Sequence, residues 1–218
     1  MHDIGKGGGI ALYIDSADLG QITALWSSRV FTGVTTNPKI LARAGLTSAD
    51  HTTLHADLRA LGVERIFMQV DARSESLMRT SAAGLRELDS VVVKIPATRA
   101  GITLARELVL DGVQVLLTAL YHPVQALIAC ELGVQWIAPY VGRISDAGDS
   151  GVAVVTAMQG IVASTDTQIL AASLRSVDCI TELAVAGIAD FTVATPLAAA
   201  MLDSELTRSA TEEFNRAE

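Results

Sequence analysis

The chain has few cysteines, few aromatic residues and little charge. Its two cysteines, Cys130 and Cys179, each lie in an apolar stretch with helical spacing, so we expect buried reduced thiols and no disulfide framework. Charged residues make up only 18% of the chain and apolar residues 50%, which excludes an intrinsically disordered protein. Polar residues interrupt even the longest charge-free stretch, residues 113–130, so no membrane span is expected.

The net charge and the missing motifs narrow the range of binding partners. The formal net charge of −8 argues against a nucleic acid or an anionic membrane surface, whereas a small anionic substrate can still bind a locally basic site. No Gly-x-Gly-x-x-Gly fingerprint follows the first predicted strand, and the sequence contains no P-loop. Residues 1–9 read as a flexible Gly-rich leader without the apolar run of a signal peptide, so we expect a cytoplasmic protein.

Short β-branched runs alternate with helical patterns along the rest of the chain. Eight such β–α units favour closure into a (β/α)8 TIM barrel over the alternative, an open doubly wound sheet. No linker interrupts the pattern, so residues 10–218 are predicted to form a single barrel domain. An extra C-terminal helix, about residues 204–216, could cover the barrel or reach a neighbouring subunit. The strands are predicted at 11–16, 32–35, 65–70, 91–95, 114–119, 136–141, 168–173 and 190–194.

Polar residues interrupt the apolar strands at their C-terminal ends. The strands of a parallel barrel are buried on both faces, so these interruptions are informative. The C-terminal ends of all strands meet on one face, which carries the chemistry in this fold. Their coincidence in seven strands predicts a functional site there. The residues are Asp15, Thr35, Thr36, Asn37, Gln69, Lys94, Thr118, Tyr140, Arg143, Ser173 and Arg175.

Lys94 is the most informative of these residues. It follows three valines, residues 91–93, and precedes Ile95, so its aliphatic stem must enter an apolar interior. One interpretation is a strand-end lysine that reaches solvent or pairs with Asp15. The other is a desolvated amine that attacks a carbonyl carbon. The surrounding polar residues favour the chemical role.

Two arginines predict an anion site. Arg143 and Arg175 follow adjacent strands, and Ser173 adds a hydroxyl, which together form a donor set suited to phosphate. The alternative is that the arginines pair with surface acids such as Asp146 or Asp178.

No metal site is predicted. His51 and His55 have the i, i+4 spacing of a metal pair, but no third ligand is evident, so we interpret them as surface residues of a helix. Thr35, Thr118 and Gln69 could each be a satisfied polar group of the barrel interior instead of a ligand-binding residue.

Five sequence motifs resemble the transaldolase family, and more closely its short branch that contains the fructose-6-phosphate aldolases. The matches occur in order and cover about residues 11–200, and as a set they are specific. They are Tyr13-Ile-Asp15, Gly33-Val-Thr-Thr-Asn-Pro38, Val93-Lys-Ile-Pro-Ala-Thr98 with Gly101, Ala138-Pro-Tyr-Val-Gly-Arg143 and Ala171-Ala-Ser-Leu-Arg175.

The resemblance implies a class I aldolase mechanism on sugar phosphates, with neither a metal nor another cofactor. Lys94 would form a Schiff base with the ketose donor, and Asp15 would handle the donor hydroxyl and the proton transfers. The remaining implied roles are Thr35 and Asn37 for donor hydroxyls, Gln69, Thr118 and Tyr140 for a catalytic water, and Arg143, Ser173 and Arg175 for the acceptor phosphate.

Different positions of this sequence resemble different branches of the family. Gln69 and Tyr140 resemble the aldolases, whereas Gly142 and Arg175 resemble the transaldolases. The first hypothesis is therefore an aldolase that cleaves fructose 6-phosphate to dihydroxyacetone and glyceraldehyde 3-phosphate. The second is a transaldolase of the pentose phosphate pathway, and the third is a non-catalytic barrel that binds sugar phosphates.

Two further features concern specificity and assembly. Lys39 stands where the family usually has a small hydroxyl residue, and Leu174 replaces the usual phenylalanine beside the serine implied in phosphate binding. By analogy with the short branch, the resemblance implies a ring-like homo-oligomer, such as a pentamer or a decamer, in which the C-terminal helix lies at an interface.

Overall fold

Eight parallel strands close into a barrel in the computed structural model, which describes residues 9–217. Each strand pairs with the next along the chain, and the last strand pairs with the first. Helices follow the strands, so the predicted (β/α)8 TIM barrel is confirmed. The strands are β1 Ala11–Asp15, β2 Gly33–Thr35, β3 Ile66–Gln69, β4 Val91–Pro96, β5 Val115–Leu120, β6 Trp136–Pro139, β7 Gln168–Ala171 and β8 Asp190–Ala194.

Eleven α-helices lie among residues 9–217. They are α1 Leu19–Trp26, α2 Pro38–Arg43, α3 His51–Ala60, α4 Glu75–Leu85, α5 Arg99–Leu110, α6 Val124–Leu132, α7 Val141–Asp146, α8 Gly151–Val162, α9 Val177–Val185, α10 Thr195–Leu202 and α11 Glu205–Arg216. The short helices α2 and α7 were not predicted. Each begins two or three positions after the last residue of a strand, so their first residues belong to the face of the barrel on which the strands terminate.

The two-residue period of a strand decides which side chains enter the barrel. Val92 and Leu116 belong to the cluster of apolar side chains inside the barrel, and the next residues of the same parity are Lys94 and Thr118. The intervening residues, such as Val93 and Leu117, pack in the larger core between the strands and the helices. An inward side chain late in a strand therefore points into the mouth of the barrel.

Aromatic residues fill the base of the barrel. Phe67 makes edge-to-face contacts with Tyr13 and Trp136, with ring centroids 5.3 and 5.4 Å apart. The indole of Trp136 donates a hydrogen bond of 3.1 Å to Asp190, and Arg65 lies over the same ring. This packed layer closes the N-terminal end of the barrel and supports the polar residues that lie above it.

Some details of the sequence interpretation are corrected by the structure. β6 ends at Pro139 and β7 at Ala171, so Arg143 lies in α7, and Ser173 and Arg175 lie in the loop after β7. His51 and His55 are buried and do not lie on the surface, because they share with Leu54 and Leu58 the face of α3 that packs on the barrel. Both cysteines are free but only half-buried.

The sequence made a prediction for each end of the chain. Of the predicted leader, residues 1–8 lie outside the described residues. The predicted C-terminal helix is present as α11, and none of its described residues is buried. Leu206 and Phe214 on this helix are 83% and 69% exposed. Within residues 9–217, no helix combines the length and apolar character that a membrane crossing requires.

Candidate active site

The amine of Lys94 lies at the centre of the candidate site. Only 1% of this residue is exposed, so the interpretation as a lysine that reaches solvent is wrong. Among residues 9–217, no carboxylate lies within 4 Å of its nitrogen, so it makes no ion pair. Lys94 pairs in register with Gln69 across β3 and β4. Burying a group that can carry a charge is costly unless its surroundings compensate for the lost hydration.

Asp15 is the carboxyl group whose pKa is influenced by Lys94. Burial raises the pKa of Asp15, while the positive charges of Lys94 and Arg43 and a hydrogen bond from Thr35 oppose that rise. The hydroxyl of Thr35 donates to Oδ1 of Asp15 over 2.6 Å, across the pairing of β1 with β2. The site thus combines a dry amine with a carboxyl group whose protonated form is favoured more than usual.

Tyr140 and Thr118 form a second polar pair at the mouth of the barrel. Thr118 donates a hydrogen bond of 3.1 Å to the phenolic oxygen of Tyr140, and both residues are buried. Because Thr118 supplies the hydrogen of this bond, the phenol keeps its own hydrogen for another acceptor. Tyr121, which follows β5, contacts the edge of the Tyr140 ring at a centroid distance of 6.0 Å.

Gln69 presents an unused acceptor to the barrel interior. Its Oε1 is buried and has no hydrogen-bond partner among the described residues. Most buried polar atoms are satisfied, and leaving one without a partner costs about 1–3 kcal/mol. The interpretation of Gln69 as a satisfied interior amide is therefore not supported.

The side chain of Asn37 has one structural role and one group left for a ligand. Its side-chain oxygen accepts hydrogen bonds from the backbone of Lys39 and Ile40, both at 3.0 Å, and so caps the N-terminus of α2. Only the amide nitrogen is left to bind a ligand. Thr36 bonds the carbonyl of Phe67 at 3.4 Å, which is a contact within the sheet.

The predicted anion site is assembled from α7 and the loop after β7. The Arg143 guanidinium lies over the Tyr140 ring, 4.7 Å from its centroid. Gly142 donates its backbone N–H to the carbonyl of Ser173 over 3.0 Å. A Cβ at position 142 would stand 2.5 Å from that oxygen and 2.7 Å from Nε of Arg175, so glycine permits this close approach. The structure thus brings the two arginines and Ser173 to neighbouring segments.

Arg175 is paired in this structure. Its guanidinium forms two hydrogen bonds with the carboxylate of Asp146, one of them 2.5 Å long. This bond lowers the pKa of Asp146. The side chains are 57% and 55% exposed, so the pair is weakened by solvent and a competing anion can displace Asp146.

The sequence interpretation missed three residues near the site. Arg43 lines a cavity of about 230 Å³ together with Asp15 and Ser16. Thr192 on β8 and Tyr121 contact Thr35 and Tyr140, respectively. Thr192 could have been found as a polar residue in an otherwise apolar part of β8, whereas no pattern signals Arg43. Among residues 9–217, no group of three or more histidine, cysteine or acidic side chains could hold a metal ion.

Comparisons with known proteins identify relatives of this chain. Proteins named "Probable transaldolase" are similar over most of the chain. The one from Brucella ovis is 30% identical over 206 residues, 93% of each chain, and the one from Phenylobacterium zucineum is 28% identical over 206 residues. The latter match covers 93% of this chain and 94% of the relative.

A solved structure of mandelate oxidase is similar in fold, with a TM-score of 0.61 at 12% identity. The match covers 87% of this chain and 65% of the oxidase, and it supports the barrel alone. The family model described as Transaldolase/Fructose-6-phosphate aldolase matches residues 12–218. The chain therefore belongs to the transaldolase and fructose-6-phosphate aldolase family of enzymes.

Proposed function

We propose that the chain is a class I aldolase that cleaves fructose 6-phosphate reversibly to dihydroxyacetone and glyceraldehyde 3-phosphate. The observation that carries this proposal is the Lys94 amine, 1% exposed inside the barrel and electrostatically coupled to Asp15, whose pKa is raised by burial. A Schiff base needs a nucleophilic amine that is shielded from bulk water and a nearby group that exchanges protons with the reacting atoms.

The proposed reaction uses these two groups. The Lys94 nitrogen attacks C2 of the ketose, and the resulting carbinolamine loses water to form an iminium. The C3–C4 bond then breaks: its electrons enter the iminium as an enamine, and the C4 hydroxyl loses its proton as the aldehyde leaves. Protonation of the enamine carbon and addition of water release dihydroxyacetone and restore the amine. Asp15 moves the protons in carbinolamine formation and dehydration.

Tyr140, Thr118 and Gln69 are proposed to hold the water that takes part in these steps. The phenol hydrogen of Tyr140 is free because Thr118 supplies the hydrogen of their shared bond. The unpartnered oxygen of Gln69 can accept a hydrogen bond from that water. The donor's hydroxyls are assigned to Thr35 and to the amide nitrogen of Asn37.

The phosphate of the aldehyde is assigned to Arg143, Ser173 and Arg175. The guanidinium of Arg175 is bound by an exposed carboxylate, which a phosphate dianion can replace with better complementarity of charge. In a chain with a net charge of −8, these cations give the mouth of the barrel a local affinity for anions.

Two experiments test the aldolase proposal. First, fructose 6-phosphate is supplied without an acceptor aldehyde, and release of glyceraldehyde 3-phosphate is expected. Second, borohydride reduction in the presence of dihydroxyacetone is expected to add the mass of the reduced three-carbon unit to the Lys94 peptide. The chain has only three lysines, Lys6, Lys39 and Lys94, so the other two serve as internal controls. An unmodified Lys94 peptide would refute the Schiff base.

A transaldolase is the second candidate, since the similar proteins above carry that name. In this reaction the enamine on Lys94 attacks a second sugar-phosphate aldehyde in place of being protonated. Turnover that requires an acceptor such as erythrose 4-phosphate, with none in its absence, would replace the aldolase proposal with this one.

We also propose a cytoplasmic homo-oligomer in which α11 lies between subunits. An isolated helix of 12 residues is marginal in water, and the exposed Leu206 and Phe214 offer an apolar surface for contact with another subunit. Light scattering of the intact protein is expected to give a multiple of the chain mass, consistent with a ring. Leu206→Glu with Phe214→Glu should reduce that mass, and a monomeric parent protein would contradict the proposal.

A further inference from the structure

Two threonine hydroxyls form a chain that leads from β8 to the carboxylate of Asp15. Oγ1 of Thr192 lies 2.5 Å from Oγ1 of Thr35, and Oγ1 of Thr35 lies 2.6 Å from Oδ1 of Asp15. Both threonines are fully buried. The three residues come from β8, β2 and β1, where β1 is the central strand that pairs with both others.

The number of hydroxyl hydrogens decides which group donates in each of these hydrogen bonds. A hydroxyl carries a single hydrogen, and Thr35 uses its own to bond the Asp15 carboxylate. The hydrogen between the two threonines must then come from Thr192. Both hydrogen bonds therefore donate toward Asp15. A hydroxyl that accepts a hydrogen bond becomes a stronger donor in a low-dielectric interior.

We propose that Thr192 is a positioning residue of the active site, which acts on Asp15 through Thr35. By donating to Thr35, it holds that hydroxyl on Oδ1 and stabilises the ionised carboxyl group. Oδ2 is then the oxygen that exchanges protons with the substrate and with Lys94. The catalytic part of this inference rests on the proposed aldolase or transaldolase reaction, whereas the effect on Asp15 does not.

Other groups also set the protonation of Asp15, and the test must separate them from Thr192. The charged groups that act on it are Lys94 from β4 and Arg43 from α2, and burial acts in the opposite direction. Thr192 carries no charge, and within residues 9–217 its hydrogen-bond connection to Asp15 runs through Thr35. Its contribution should therefore disappear when the hydroxyl of Thr35 is removed.

The primary experiment compares Thr192→Val, which keeps the branched shape, with Thr192→Ser, which keeps the hydroxyl. The titration of Asp15 is followed by carboxyl carbon NMR in the intact protein without sugar. Thr192→Val is expected to raise the pKa of Asp15, and Thr192→Ser to leave it close to the parent value. In turnover, the acidic limb of the pH profile should move upward with Thr192→Val, with about a twofold loss of rate at low pH relative to the plateau.

A double-mutant cycle separates the hydroxyl chain from a packing effect. Thr35→Val alone should raise the pKa of Asp15 more than Thr192→Val does, because it removes the direct donor. In the Thr35→Val background, Thr192→Val should cause no further shift. If Thr192→Val folds poorly, Thr192→Ala serves as the second variant that lacks the hydroxyl and should give the same shift.

The outcomes are distinct for the two proposals. An unchanged Asp15 titration in Thr192→Val, or additive shifts in the cycle, would overturn the role of Thr192. A shift of the expected sign in a protein that neither cleaves nor transfers any sugar phosphate would support the hydroxyl chain and reject the proposed function.

Discussion

Replacement of Lys94 by methionine should abolish turnover and at the same time make the protein more stable. Methionine has nearly the shape of the lysine stem but lacks the amine, so no Schiff base can form. A loss of at least about a thousandfold in kcat is expected. The gain in stability has a separate cause, because the parent buries an ionisable amine that makes no ion pair among the described residues.

The size of the stability change follows from the environment of the amine. Replacing a buried ion pair by apolar groups of similar volume is neutral or stabilises a protein by about 1–4 kcal/mol, and we expect a change in the same range for this single amine. The charge of Lys94 lowers the pKa of Asp15, so without it this buried carboxyl group becomes neutral more easily and is not left as an isolated charge. For a domain of this size, each kcal/mol raises Tm by about 2–4 °C.

The assay combines urea unfolding with cleavage of fructose 6-phosphate. Lys94→Ala is the packing control, because it removes the stem from the barrel interior and should be about 2–5 kcal/mol less stable than Lys94→Met. Lys39→Met is the matched control on an exposed lysine and should leave the free energy of unfolding unchanged. Retained turnover in Lys94→Met would refute the Schiff base, and a marked loss of stability would refute the reasoning about the buried amine.

Three further substitutions test the rest of the site. Tyr140→Phe should lower cleavage, raise transfer to an added aldehyde and cost about 1–3 kcal/mol in urea unfolding, since Thr118 loses its acceptor; an unchanged ratio of cleavage to transfer would remove Tyr140 from the mechanism. Asp146→Asn should lower KM for glyceraldehyde 3-phosphate about two- to fivefold at low salt by freeing Arg175, with no change for unphosphorylated glyceraldehyde. Equal effects on both aldehydes would argue against a phosphate site at Arg175. Arg43→Gln removes a positive charge that lowers the pKa of Asp15, so this pKa and the acidic limb of the pH profile should rise. A fall in either would contradict the placement of Arg43 beside Asp15 in their shared cavity.

The pKa of Asp15 also links pH to stability. Because folding raises this pKa, the folded state holds the proton more tightly than the unfolded state does. The contribution of Asp15 is therefore most favourable below its unfolded pKa and declines as the pH rises through its folded pKa. Asp15→Asn should remove that part of the pH dependence of unfolding.

Much of the site could be predicted from the sequence because strand geometry is local. The alternation of β-branched runs and helical patterns indicated eight β–α units, and each predicted strand agrees with the structure to within two residues at either end. Once β4 was recognised, the period of two placed Lys94 on the same face as Val92, inside the barrel. Asp15, Gln69 and Thr118 follow from the same argument on their own strands.

Contacts between distant segments could not be obtained in this way. His51 and His55 were interpreted as surface residues because helical spacing alone does not tell which face packs on the barrel. The sequence allowed two roles for Arg175, binding a phosphate or pairing with a surface acid such as Asp146. The structure shows the ion pair with Asp146, because α7 turns back beside the loop after β7. Each of these outcomes depends on how a helix is oriented against a neighbour.

By itself, the sequence of this protein determined that a lysine lies in a buried strand among polar strand ends, since apolar periodicity and side-chain alternation act over a few residues. The tertiary structure alone decided that Thr192 and Thr35, 157 positions apart, meet beside Asp15. That contact exists only because β8 pairs with β1 and closes the barrel, and closure is a property of all eight strands together.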